Sequence, residues 1–266
     1  MFTYKTFNNI AADGLAVMAS KNIKDVSDNP DGLMLRSHKL SAEEFGNNLS
    51  AIARAGAGVN NVPIEDATDL GVVVFNTPGA NANAVKELVI CGMLLSSRGI
   101  LDGINFAKNL DSNDSDVLNQ MLEAQKKTFA GNELAGKTLG IVGLGAIGSM
   151  LAQASQALGM KLVGFDPHIS IDSAWRLPRE VEKAETLEDL LKKSDYVSLH
   201  VPLVEATKNL INADNLKYFK LGSRLINLSR GGIVNSNDVI QALENGKLSK
   251  FVTDFPTPEL IARSTK

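Results

Sequence analysis

Three glycines, at positions 143, 145 and 148 in KTLGIVGLGAIGSMLAQASQALGMKLVGFDP, constrain this chain more than any other feature. An apolar run at 138–142 precedes them, a helical pattern opens at Ala146 and closes at Gly159, and a second apolar run follows at 161–165. That succession predicts a strand, a tight turn and a helix returning to a parallel neighbour. Gly143 permits the turn, Gly145 keeps the backbone bare, and Gly148 lets the helix press against the strand. The same grammar recurs along the chain. Apolar runs at 32–37, 51–56, 71–76, 195–200, 224–229 and 251–255 read as further buried parallel strands, with helical patterns such as TLEDLLKKSD and SNDVIQALENG between them. Ser236 is expected to cap the second of these helices and Gly246 to end it. Alternating strands and helices specify the α/β class.

A bare glycine turn opening a helix suits a pyrophosphate, because the first amides of the helix, from Ala146 and Ile147 onward, point outward with a partial positive charge. Asp166 ends the second strand, 18 residues beyond Gly148, where its carboxylate would accept both ribose hydroxyls and repel a 2′-phosphate. The expected cofactor is therefore NAD rather than NADP. Neighbouring His168 would weaken that preference if protonated. No Lys-Ser or Lys-Thr pair follows the glycines, so a P-loop is excluded.

Ligands of parallel sheets lie beyond the carboxyl ends of the strands. That rule selects Asp166, His200 with Pro202, Ser229 with Arg230, and Asp254 in the second half, and Arg36, Ser37, the segment 54–61 and the segment 76–81 in the first. Two arginines beside a glycine-rich backbone suit a small dianionic acid. A net charge of −3 over 266 residues gives no field to recruit nucleic acid or an anionic membrane. No apolar stretch is long enough to span a bilayer, and no metal cage is apparent. A single cysteine, Cys91 in ELVICGMLL, is expected to be buried packing and fits a reducing compartment, with the cytoplasm as the expected location.

The blocks RAGAGVNN, FNTPGANANAVKELV, GKTLGIVGLGAIG, HVPL with TKNLI, INLSRGGIVN and VTDFPTPE resemble, in order, the D-2-hydroxyacid dehydrogenase family, and within it the bacterial phosphoglycerate dehydrogenases. The resemblance implies two doubly wound parallel-sheet domains: a flavodoxin-like substrate domain, here 1–92 and incomplete, and a Rossmann-type NAD domain, here 93–266. It implies oxidation of a small anionic 2-hydroxy acid, 3-phospho-D-glycerate, as the first step of serine synthesis. Subunit pairing would run through the NAD domain. By position, Arg230 would hold the substrate carboxylate and Glu259 would orient a catalytic histidine. Arg36 and Arg54, with Ser37 alongside, would receive the phosphate, while Gly56, Ala57, Gly58 and Val59 would offer backbone donors to the carboxylate. His200, Val201, Pro202 and Thr207 resemble the turn over the cofactor, Leu228 to Arg230 would flank its ribose, and Asp254 would lie near the nicotinamide. The family's catalytic histidine stands in a Pro-His block beyond the position of Glu259. This chain has only His38, His168 and His200, none in that context. The expectation is a C-terminally truncated dehydrogenase with crippled turnover.

Overall fold

A computed structural model describes residues 2–26 and 28–263, which fall into two compact units, Met1–Asn81 and Ala82–Lys266. The first unit is a five-stranded parallel sheet of β1 (Thr3–Phe7), β2 (Lys24–Asp25), β3 (Gly32–Leu35), β4 (Ala51–Arg54) and β5 (Val73–Phe75), in the order β2-β1-β3-β4-β5. Helices α1 (Ala12–Ser20) and α2 (Ile64–Asp69) connect its strands. Leu33, Leu35 and Ile52 form its core with Leu40, Val62 and Ala67. In this flavodoxin-like order the direction of winding reverses between β1 and β3, which leaves a crevice at their carboxyl ends.

In the second unit, α3 (Ala82–Ser97), α4 (Ile100–Lys108) and α5 (Ser115–Gln125) precede a six-stranded parallel sheet. Its elements are β6 (Thr138–Val142), α6 (Ala146–Ala157), β7 (Lys161–Phe165), α7 (Ile171–Trp175), β8 (Glu182–Lys183), α8 (Leu187–Lys193), β9 (Tyr196–Leu199), α9 (Ala213–Leu216), β10 (Ser223–Asn227), α10 (Ser236–Glu244), β11 (Leu248–Thr253) and α11 (Pro258–Arg263). The strand order β11-β10-β9-β6-β7-β8 is the Rossmann order, reversing between β6 and β9. One apolar cluster includes Val197, Leu199 and Leu225, and a second includes Leu139, Ile141 and Ile226, so both faces of the sheet are covered. All eight strands read from the sequence are present. β1, β2 and β8 are additional.

Three expectations need correction. The division expected at residue 92 falls inside α3, which belongs entirely to the second unit. Val89 and Met93 are fully buried in the cluster of Leu139 and Tyr196, and a Cβ added to Gly92 would meet Val252 Cγ1 at 2.8 Å. Cys91 is exposed, because it lies off the α3 face that buries Val89, Gly92, Met93 and Ser96 at helical spacing. The cap of α10 is Asn235, whose side chain accepts from the amides of Asn237 and Asp238, one residue before the expected Ser236. Gly246, at φ 76°, follows that helix in the left-handed conformation expected of it.

Candidate cofactor and anion sites

Gly143 adopts φ 91°, a conformation reserved in practice for glycine, and a Cβ placed there would lie 2.6 Å from the carbonyl oxygen of His200. The turns after β6 and β9 thus touch at the point where the sheet reverses. A Cβ on Gly148 would lie 2.1 Å from the Gly143 carbonyl, so α6 packs onto its own turn with no room for a side chain. Gly145 differs: nothing lies within 4 Å of its missing Cβ, and no side chain caps the helix it begins. Open space, an uncapped helix start and bare backbone together fit a pyrophosphate.

Asp166, just beyond β7, binds both sides of this turn. Its Oδ2 accepts from the Leu144 amide at 2.8 Å and its Oδ1 from the His168 amide at 2.9 Å. Each oxygen keeps a lone pair for a sugar hydroxyl. His168 itself is exposed. Five residues after Asp166, α7 carries the chain's single tryptophan, Trp175, 84% exposed.

His200 is half-buried, with Nε2 2.8 Å from the Ser198 hydroxyl and a shielded Nδ1 without a partner. Burial pushes its pKa down from 6.5 to about 4, so the imidazole is neutral at ordinary pH. The turn after it is held by Thr207, whose hydroxyl donates to the Pro202 carbonyl at 2.6 Å and accepts from the Val204 amide at 2.9 Å. Val201 is half-buried and Pro202 exposed.

Beyond β10, Leu228 is buried while Ser229 and Arg230 are half-buried. Arg230 Nη1 donates to the Ser229 carbonyl at 2.6 Å. Leu203 closes over Gly232 and Phe255 over Gly231, each 3.2 Å from the position of a Cβ, so this loop sits between the turns after β9 and β11. Asp254 is exposed after β11, and Glu259 is exposed in the first turn of α11. Glu259 is held below the usual carboxylate range by its own amide and then by the Thr257 hydroxyl. Arg263 anchors that helix to Glu244 of α10 at 2.9 Å.

In the first unit, the segment Arg36–His38 leaves β3 at the crevice beside β1. Asn8, at φ 68°, accepts the amides of Ser37 at 3.0 Å and His38 at 2.7 Å through its Oδ1. Asn61 Nδ2 donates to the His38 carbonyl at 2.7 Å. The His38 ring stacks on Phe7 at 4.3 Å and reaches Glu44 at 2.9 Å. Arg36 and Ser37 are exposed. Arg54, ending β4, folds back to donate from Nε to the Arg36 carbonyl at 3.2 Å and from Nη1 to the Gly58 carbonyl at 2.5 Å. Gly56 makes space for that guanidinium, since a Cβ there would lie 2.5 Å from Nη1. One expected donor is already engaged: the Gly56 amide bonds the Arg54 carbonyl at 2.9 Å. Ala57 is secured by Asn76 Nδ2 on its carbonyl at 2.7 Å, and Gly58 and Val59 are half-buried beside it.

Sequence reasoning missed Asn8 and Asn227, and it selected Asn61 and Asn76 only as members of their segments, without the loop-holding bonds they make. Their sequence signal is weak, since asparagine is common in loops for several unrelated reasons. Among the described residues, no group of three His, Cys, Asp or Glu side chains is placed to hold a metal. Nor, among them, is any helix long and apolar enough to cross a membrane.

Comparison with known proteins agrees with this geometry. Residues 103–266 match the family described as D-isomer specific 2-hydroxyacid dehydrogenase, NAD binding domain. The chain belongs to this dehydrogenase family. A hydroxypyruvate reductase of Thermotoga maritima is 36% identical over 238 residues, covering 86% of this chain and 72% of that protein. A D-3-phosphoglycerate dehydrogenase of Synechocystis is 34% identical over 250 residues, and the chain spans 93% of itself but only 42% of that relative's length. Among solved structures, the TT0316 protein from Thermus thermophilus superposes with a TM-score of 0.80 at 26% identity, covering 97% of this chain and 83% of that one. An NAD+-bound 3-phosphoglycerate dehydrogenase of Entamoeba histolytica shares the fold with a TM-score of 0.77 at 24% identity, covering 100% and 84%. In this member of the dehydrogenase family, NAD is the cofactor, and Gly143, Gly145, Gly148 and Asp166 fit it.

Proposed function

We propose that this chain carries the coenzyme-binding and anion-binding parts of a cytoplasmic D-2-hydroxyacid dehydrogenase that oxidises 3-phospho-D-glycerate to 3-phosphohydroxypyruvate, opening serine synthesis. The observation that carries the substrate is the placement of Arg36 and Arg54 at the carboxyl ends of adjoining strands, next to the winding reversal of the first unit. The name of the Synechocystis relative supports the same substrate. NAD, when bound, supplies the hydride acceptor. In this reading Arg36 and Arg54, with Ser37, take the phosphate, and amides from Ala57 to Val59 take the carboxylate. Arg230 grips the carboxylate and polarises the C2 oxygen. Ala146 and Ile147 amides meet the pyrophosphate, Asp166 binds the ribose, Leu228 and Ser229 flank the second ribose, and Val201, Pro202 and Asp254 border the nicotinamide. Thr207 acts by holding the turn.

Proton removal has no assigned group. His200 is half-buried against Ser198, the His38 ring is paired with Glu44, and His168 lies exposed in the loop after β7, none of them in the family's Pro-His context. Glu259 would orient a histidine that this reading does not find among the 266 residues. Turnover by this chain is expected to lie about 10²- to 10⁴-fold below that of relatives with a general base. A non-catalytic NAD-binding protein is the alternative this observation favours, and measurable Arg230-dependent turnover would reject it. The Thermotoga relative raises a third reading, reduction of another small 2-oxo acid.

Calorimetry on the NAD-loaded chain decides among substrates. Arg36→Ala is expected to weaken 3-phospho-D-glycerate by about tenfold or more and leave D-glycerate unchanged; equal losses would remove the phosphate assignment. Arg36 is the cleaner position because Arg54 also braces the loop. In the same assay, Asp166→Ala should narrow the preference for NAD over NADP.

Self-association is part of this reading. Leu88 and Leu94 of α3, Leu101 and Ile104 of α4, and Met121 and Leu122 of α5 are exposed, Leu101 to 57%, and these apolar side chains are the surface on which the reading places the subunit contact. Sedimentation should find a dimer that Leu101→Glu with Ile104→Glu converts to monomer. A monomeric parent chain would discard this interface.

A further inference from the structure

The family's substrate arginine is useful only if its backbone is fixed, and the loop that carries it, Ser229–Arg230–Gly231–Gly232, contains two glycines that supply no side-chain anchor. The anchor lies one step back. Asn227 ends β10 with 1% of its surface exposed, and both the oxygen and the nitrogen of its amide bond the two residues in question. Its Oδ1 accepts from the Ser229 amide at 3.2 Å and from the Ser229 hydroxyl at 2.9 Å, while its Nδ2 donates to the Arg230 carbonyl at 2.8 Å. A planar amide that must satisfy a donor and an acceptor away from water admits few arrangements of the chain around it. Arg230 then lays its guanidinium on the Ser229 carbonyl at 2.6 Å, so the charged group rests on the peptide between the two that Asn227 bonds. Aspartate would lack the donor, serine the reach and leucine both polar functions.

We propose that Asn227 is a positioning residue that sets the backbone at Ser229 and Arg230 and, through it, the direction of the Arg230 guanidinium. This rests on the reading of Arg230 as the substrate-carboxylate ligand. The test is a double-mutant cycle on the full chain, with NADH affinity and the affinity of 3-phospho-D-glycerate for the NAD-loaded protein both measured by calorimetry. Asn227→Ala should weaken phosphoglycerate by about tenfold or more, change NADH by less than about threefold, and add nothing to the loss caused by Arg230→Ala. Additive losses, or an equal fall in NADH affinity, overturn the proposal. Should the alanine variant fail to fold, Asn227→Asp keeps the volume and the acceptor while removing the donor; full phosphoglycerate affinity in that variant overturns the proposal equally. If the parent chain binds NADH but no phosphoglycerate, the functional reading falls separately. The clamp is then judged by hydrogen exchange in residues 228–233, which Asn227→Ala or Asn227→Asp must accelerate by about tenfold with the rest of the second unit unchanged. Unaltered exchange there overturns it.

Discussion

Gly145→Ala is expected to leave thermal stability essentially unchanged and to weaken NADH by about 100-fold, close to 2.7 kcal/mol, whereas Gly148→Ala should lower both. The two glycines are three residues apart, yet their surroundings are opposite. At Gly145 the backbone has φ −68°, which any residue adopts, and nothing stands within 4 Å of a new methyl group. Added bulk meets no protein there; it fills the space in front of the uncapped helix start where a pyrophosphate would bind. At Gly148 the new methyl would lie 2.1 Å from the Gly143 carbonyl and 3.3 Å from Ile141 Cγ2. Backbone cannot yield as a side chain does, so α6 must slide off β6, at about 3 kcal/mol by analogy with overpacked cores. That movement carries the helix start away from the phosphates. Melting curves and NADH titrations on the two variants check both outcomes. A Gly145→Ala protein that binds normally would show that this turn does not hold the coenzyme.

Mild acid should loosen the second unit through the His200 imidazole. His200 has a folded pKa of about 4 against 6.5 when unfolded, so in that interval the unfolded chain takes up the proton and the folded one resists it. Stability is therefore complete above pH 6.5 and falls as the pH falls. The loss is about 2 kcal/mol at pH 5 and about 3 kcal/mol by pH 4, from the difference between the two pKa values. Asp195, held low against the opposing effect of burial by the Thr138 amide and Lys220, adds its loss only below that window. Urea titrations at pH 7 and pH 5 should show the shift, and His200→Asn, which keeps a polar neighbour for Ser198, should flatten it. An unchanged midpoint in the parent protein would mean that the imidazole is not sealed from water.

How much could be read in advance follows from how tightly each position is determined. The glycine turn was legible because a left-handed residue and two close approaches leave no other residue type. Strands β3 to β7 and β9 to β11 were legible as apolar runs, since a parallel sheet buried on both faces leaves them no polar side. β1 was not, because TYKTF alternates polar residues, although it lies inside its sheet. β2 and β8 are two residues long and carry no pattern. α1 fully buries none of its residues, so its apolar face is weak. Cys91 misled because an apolar neighbourhood in sequence does not say which side of a helix a residue occupies. The asparagine clamps were hidden for a related reason. Their partners are backbone atoms, and backbone atoms leave no trace in the sequence.

The solitary indole on α7 gives the molecule an uneven optical character. Excitation selective for tryptophan reports from one place only, a short solvent-facing helix just past Asp166, so emission and energy transfer to reduced nicotinamide would follow events in the second unit. The first unit contributes no such chromophore. It could bind an anion, or melt, without changing the signal, and its behaviour has to be read by heat, exchange or a label placed there on purpose.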